Sequence, residues 1–144
     1  MGLWSAHLAK LAAPLPDLMD MPATEARIII ALRLAVAANK QGVDARDALE
    51  KRLGGRLPMI RVLMIIETIG NAWPDAFQVG RCCCPHMMPD EILLLNMIRR
   101  VVHQDKPAFD VLLCEMIDDC GRQRIFNDIE MFIGAYMPAY DMPR

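Results

Sequence analysis

Nine residues of this sequence have the types and spacing that could do chemistry: Arg81-Cys82-Cys83-Cys84-Pro85-His86-Met87-Met88-Pro89. Proline after Cys84 disfavours helical backbone at the cysteine and pushes it towards an extended conformation. In an extended segment alternate side chains share a side. Cys82, Cys84 and His86 would then project together, and Cys83 and Met87 would face the opposite way. Two thiolates and an imidazole are good ligands for zinc or another thiophilic metal. Adding the thioethers of Met87 and Met88, with Cys83 as a further candidate, turns the set towards Cu(I). A fourth ligand could come from water, Cys114, Cys120 or a neighbouring chain.

The same segment admits other readings. Structural zinc sites usually pair two separated two-ligand clusters, a pattern this chain lacks. Cysteines just before a helix N-terminus, next to Arg81, could be redox-active, although Asp90 and Glu91 neutralise that helix end. Cys-Pro also occurs in haem-responsive motifs. The plainest alternative is three cysteines packed under a loop. The spacing at Phe109, Leu112, Leu113, Met116, Ile117 and Cys120 places Cys120 on an apolar stripe, with Cys114 beside it, so both are expected to pack.

Other motifs are weak. His7 and His103 are isolated, and Asp118-Asp119 and Asp90-Glu91 suit helix surfaces. There is no Ser-His-Asp grouping, phosphate-binding glycine loop or His-Glu-x-x-His pattern, so a non-enzymatic protein is expected. Residues 44–70 superficially read as helix, glycine turn, helix. The second helix is packed with Ile, Leu and Met instead of polar residues that read base edges. The chain carries 16 basic and 18 acidic residues, a net charge of −2, with no basic run. Nucleic-acid binding is therefore not expected.

The elements that must hold the cysteine segment are helices. Thr24 is a plausible N-cap for a helix with Ile28 to Ala38 apolar nearly all round, closed by Gly42. Asp44 caps a helix over Ala45 to Leu53, stopped by Gly54-Gly55. Pro58 opens another, largely buried, that runs to about Gly70. Residues 71–88 form a Cys-rich loop, long enough to suggest function. Pro89-Asp90-Glu91 opens the next helix, to about His103. Pro107 starts one that ends at Gly121, and a last spans roughly Arg122 to Tyr136. Gly2 to Ala13 reads as a short helix ended by Pro14 and Pro16, so 1–21 is a helix with a proline-rich connector. Residues 137–144 read as a tail. Met59, Met64, Met97 and Met116 occupy helical core positions, where methionine fills gaps.

With 144 residues and 54% hydrophobic content, the expected fold is all-α: one domain, an irregular bundle of six to seven short helices. No stretch approaches the ~20 apolar residues of a membrane span. No signal peptide is read at the N-terminus, and five cysteines form no even framework, so a reducing cytoplasm is the expected compartment. The apolar excess suggests a homo-oligomer or a protein partner.

The run Cys82-Cys83-Cys84-Pro85 followed by Pro89-Asp90-Glu91-Ile92-Leu93-Leu94-Leu95 resembles a family of short, uncharacterised bacterial all-helical proteins, a domain of unknown function. In that family a cysteine-rich turn leads into an acidic-capped, leucine-rich helix. The resemblance covers about fifteen residues of this sequence. It implies a helical fold and a bacterial cell interior, and no catalytic role.

Two functions follow from the sequence. The first is a non-enzymatic helical protein acting through self-association or partner-protein binding. The second is a metal-binding or thiol-sensing protein that uses the loop from Cys82 to Met88.

Overall fold

The computed structural model describes residues 15–136. The expected helix at Gly2 to Ala13, His7 and the tail at 137–144 lie outside the described residues. Six helices follow one another: α1 (Ala23–Gln41), α2 (Arg46–Leu53), α3 (Arg56–Ala72), α4 (Pro89–Val102), α5 (Lys106–Leu113) and α6 (Asp119–Tyr136). A single 3-10 turn at Leu18–Asp20 precedes them. Among the described residues there is no strand, only one isolated bridge between Asp17 and His86. The protein is an all-α bundle, as its apolar periodicity requires. None of the helices is long and apolar enough to cross a membrane among the described residues.

Helix α1 is the central element because its apolar side chains leave it no polar face. Ile28, Ile29, Ala31, Leu32, Ala35 and Ala38 are all buried. It ends where Gly42 turns left-handed at φ 68° and the Val43 N–H returns to the Ala38 carbonyl at 2.9 Å. That bond satisfies a carbonyl the helix itself cannot reach. The Asp44 carboxylate accepts from the Arg46 N–H at 3.0 Å and opens α2, which contributes Leu49 and Leu53 to the core.

Helices α3 and α6 make the most extensive helix pair. Met59, Val62, Ile65 and Ile69 face inwards from α3; Ile125, Phe126, Ile129, Phe132 and Tyr136 do so from α6. The Tyr136 hydroxyl donates to the Thr24 carbonyl at 2.7 Å and ties the end of α6 to the start of α1. Phe109 of α5 meets Phe126 edge-on, with ring centroids 5.1 Å apart. Two expectations about α3 and the segment after α5 need correction. Met64 is exposed, together with Leu57 and Ile60, because α3 packs through one face only. The expected single helix from Pro107 to Gly121 is two elements. The chain turns after Leu113, and Asp118 starts α6 by accepting from the Gly121 N–H at 2.8 Å. This N-cap bond outcompetes continuation of α5. Met116 and Cys120 consequently leave the apolar stripe and are exposed, while Phe109, Leu113 and Ile117 stay buried.

The junction of α5 and α6 carries an ionic cluster with a testable signature. Lys106 Nζ donates to both Asp110 oxygens, at 2.7 and 2.8 Å, and Arg122 Nε approaches one of them at 3.3 Å. The Lys106 hydrogen bond, more than any other influence, holds the Asp110 carboxyl below the usual aspartate range. A lowered folded pKa stabilises the protein above the ordinary aspartate range, and that contribution is lost as pH falls through the lowered value. Acid titration of stability should therefore fall less steeply in Asp110→Asn than in the parent. Superimposable acid limbs would show that the cluster contributes nothing.

Candidate functional site

The cysteine loop is built around an arginine. Arg33 stands mid-way along α1 with its side chain fully buried. All five of its N–H donors are used. Nε donates to Glu91 Oε2 at 2.7 Å, and one NH2 hydrogen goes to Glu91 Oε1 at 2.9 Å. The remaining three reach loop carbonyls: NH1 to Arg81 at 3.1 Å and Cys84 at 2.6 Å, NH2 to His86 at 2.9 Å. A planar guanidinium has this fork of five donors, and no other side chain could replace it. Burying the charge is tolerable because it is both paired and fully hydrogen-bonded.

Glu91, buried in the first turn of α4, completes the clamp from the other side. Besides Arg33 it accepts from the Met88 N–H at 2.7 Å and the Gly80 N–H at 3.3 Å. Its neighbour Asp90 accepts from the Gln78 N–H at 2.7 Å. The acidic pair thus does more than complement the helix dipole: it holds both ends of the loop. Among the described residues no buried side-chain nitrogen or oxygen lacks a partner. The Glu91 hydrogen bond, opposed by desolvation, holds the Arg33 pKa above its ordinary value. The charge of Glu91 acts in the same direction as its hydrogen bond.

A second strap lies on the N-terminal side. The Leu18 N–H donates to the Pro85 carbonyl at 2.7 Å, and the Met87 N–H donates to the Pro16 carbonyl at 2.9 Å. These bonds form the Asp17–His86 bridge, anchored by the buried side chains of Leu18 and Met87.

The backbone between these anchors differs from the extended segment that the sequence suggests. Arg81 to Cys84 form a turn, closed by the Cys84 N–H on the Arg81 carbonyl at 3.0 Å. The reason is Arg33: its NH1 holds the Arg81 and Cys84 carbonyls on one nitrogen, and a straight strand could not bring both there. Beyond the turn, His86 pairs with Asp17 in an isolated bridge and Met88 is extended. Cys82 and Cys83 lie at the turn's tip and are exposed, and Cys84 is half-buried with its thiol 3.6 Å from the His86 carbonyl. His86 itself is exposed, Met88 half-buried. Met87 is wholly within the core, where it fills space. Among the described residues no group of three His, Cys, Asp or Glu side chains is gathered as a metal-holding set. All five cysteines are free thiols, and Cys114 and Cys120, expected to pack, are exposed.

A separate hollow lies between the end of α3 and the α5–α6 turn, lined in part by Thr68, Asn71, Met116, Cys120 and Arg124. Its lining residues belong to α3, the α5–α6 turn and α6, and none lies between Arg81 and Met88.

Fold and site together define a small all-α bundle that displays a clamped, thiol-bearing turn. Comparison with protein-family models, curated proteins and solved structures finds no match.

Proposed function

We propose that this chain is a non-enzymatic helical protein that acts by associating with a second copy or with a partner protein. The observation that carries this reading is the outer face of α3. Leu57, Ile60 and Met64 fall on one side of the helix, at spacings of three and four residues, and are 52%, 39% and 38% exposed. Met131 on α6, the helix that α3 packs against, is 47% exposed. Apolar side chains aligned on one helix face present a surface that association would remove from water. Sedimentation of the full chain should reveal a species heavier than the 16.2 kDa monomer, and Met64→Lys should shift it towards monomer. A parent chain that stays monomeric at high micromolar concentration, and gains no partner, would sink this reading.

A second reading rests on a different observation, the exposure of Cys82 and Cys83 on a loop fixed by a buried ion pair. An exposed thiol on an ordered backbone suits a metal-binding or thiol-sensing role, in which Cys82, Cys84 and His86 are the first candidates as ligands to Zn(II) or Cu(I). Mass spectrometry after brief alkylation checks it. Cys82 and Cys83 should label first in the folded protein, and equal labelling rates with or without metal or oxidant would remove the basis for both roles.

A further inference from the structure

The outer face of α3 has a charge at each end. Arg56 precedes the exposed Leu57, Ile60 and Met64, and Glu67 follows them. Positions 56 and 67 are separated by about three helical turns, so the two charges lie about 16 Å apart along the axis and within about 20° of one line. Both side chains are exposed, and neither has a hydrogen bond or ion pair among the described residues. Arg56 shares the rim of a shallow hollow with Asp47 and Glu50 and pairs with neither. The third charged residue of α3, Arg61, is half-buried to one side of this line, with NH1 turned to the Met64 sulfur at 3.5 Å. Helix α6 extends the face. It runs antiparallel to α3: its first turn shares a hollow with Asn71 and Ala72 at the end of α3, and Thr68 donates to Asp128. That bond sets a second carboxylate at the Glu67 end, with Arg124 a turn further out in the hollow. One turn from it in the other direction, Met131 stands level with Met64 and flanks the apolar centre. The face therefore runs from cation through apolar side chains to anion, an order that complements itself only when reversed.

We propose that this face binds a second copy of the chain, in a two-fold dimer whose α3 helices pack antiparallel. This rests on the association reading above and names its partner. A two-fold interface sets residue i against j and j against i. In antiparallel order Arg56 of each copy meets the partner's Glu67, and Ile60 lies over the partner's Met64. Both charge pairs and the apolar centre then close together. Burial of Leu57, Ile60 and Met64 drives the association, and the charges set its direction. Parallel pairing would put Arg56 against Arg56 and Glu67 against Glu67, two like-charge contacts in place of two attractive ones. The self-complementary order is what selects a second copy over a foreign protein.

The test is charge exchange followed by sedimentation of the full chain, kept reduced so that its exposed cysteines cannot cross-link copies. The parent should sediment as a dimer of twice 16.2 kDa. Arg56→Glu alone and Glu67→Arg alone should each weaken the dimer about tenfold, because each sets like charges opposite one another at both ends. Mixed in equal amounts, the two variants should recover the parent's affinity as a heterodimer, since one copy then carries two acids and the other two bases. The double variant, Arg56→Glu with Glu67→Arg, should recover it alone. Melting temperatures measured at concentrations where all are monomeric should match, because both side chains are exposed. Failure of the mixture and of the double variant to recover, or assembly beyond a dimer, overturns the proposal, yet leaves the association reading standing if Met64→Lys still disrupts the parent. A dimer untouched by all these changes forms through another face and overturns both. A parent chain that is monomeric at high micromolar concentration overturns the proposal, and the wider reading then survives only through a foreign partner.

Discussion

Replacing Arg33 with methionine should destabilise the protein by about 3–5 kcal/mol, because it leaves Glu91 charged, buried and without its partner. The same change leaves the Cys84 carbonyl without its side-chain donor, and leaves the carbonyls of Arg81 and His86 only the Cys84 N–H and the Cys84 thiol. For a chain of this length the melting temperature should fall by on the order of 10 °C or more. Arg33→Lys should recover little. An ammonium has three donors in a different geometry and cannot reach a carboxylate and three carbonyls at once. The double variant Arg33→Met with Glu91→Leu should be more stable than the sum of its single changes predicts, since it removes both charges together. Denaturant unfolding of the four proteins measures this coupling. A loss below about 1 kcal/mol for Arg33→Met would place the ion pair among surface-like pairs and remove the clamp from the account of the loop.

Gly80→Ala should produce the second-largest effect, by a different route. A Cβ built at position 80 would stand 2.7 Å from Arg33 NH2, 2.9 Å from Cζ and 3.0 Å from Nε. Side-chain ends usually swing away from such an intrusion. This one cannot, because all five of its donors are engaged and it is enclosed by protein. The loop must move instead, and overpacking of this kind costs roughly 1–3 kcal/mol. The Gly80 N–H would leave Glu91 as the loop shifts. Stability should fall, and Cys84, half-buried in the parent, should alkylate faster. Gly70→Ala is the control: a Cβ there meets nothing within 4 Å, and helix propensity favours alanine. If Gly80→Ala behaves like Gly70→Ala, the guanidinium is freer to move than its hydrogen bonds imply.

The two variants also separate the clamp from the turn it holds. Either change should leave the helices formed, because α1 keeps its apolar contacts with Ile28, Ile29 and Leu32 buried on neighbouring turns. Circular dichroism should therefore change little at low temperature, while thiol reactivity changes most at Cys84.

Much of the helical framework is legible in the sequence because its causes are local. Pro89 followed by Asp90 and Glu91 marks the start of α4 whatever packs against it, and Gly42 and Gly54 take the left-handed φ values, 68° and 80°, that end α1 and α2. The stripe at Phe109 and Leu113 announces a buried face from spacing alone. Local patterning misleads where two local rules compete. The apolar period runs on through Cys120, but Asp118 offers a helix cap within that run, and the cap divides it. Apolar content also cannot say which face of α3 finds a partner, so Met64 reads as core and is exposed.

The clamp was visible as an anomaly and not as a mechanism. Arg33 interrupts an otherwise apolar helix, and Glu91 looks sufficient as a dipole-compensating residue in a first turn. Nothing in the order of residues links positions 33 and 91, which are 58 residues apart. By itself the sequence determined that this chain is helical, where most helices begin and end, and that its cysteines sit in the loop before α4. Those outcomes depend on backbone propensity, capping and apolar period, which act over a few residues. Only the tertiary structure decided that the loop turns at Arg81 to Cys84 instead of extending. That outcome depends on a buried charge needing five acceptors, and three of them could be supplied only by folding the loop onto it.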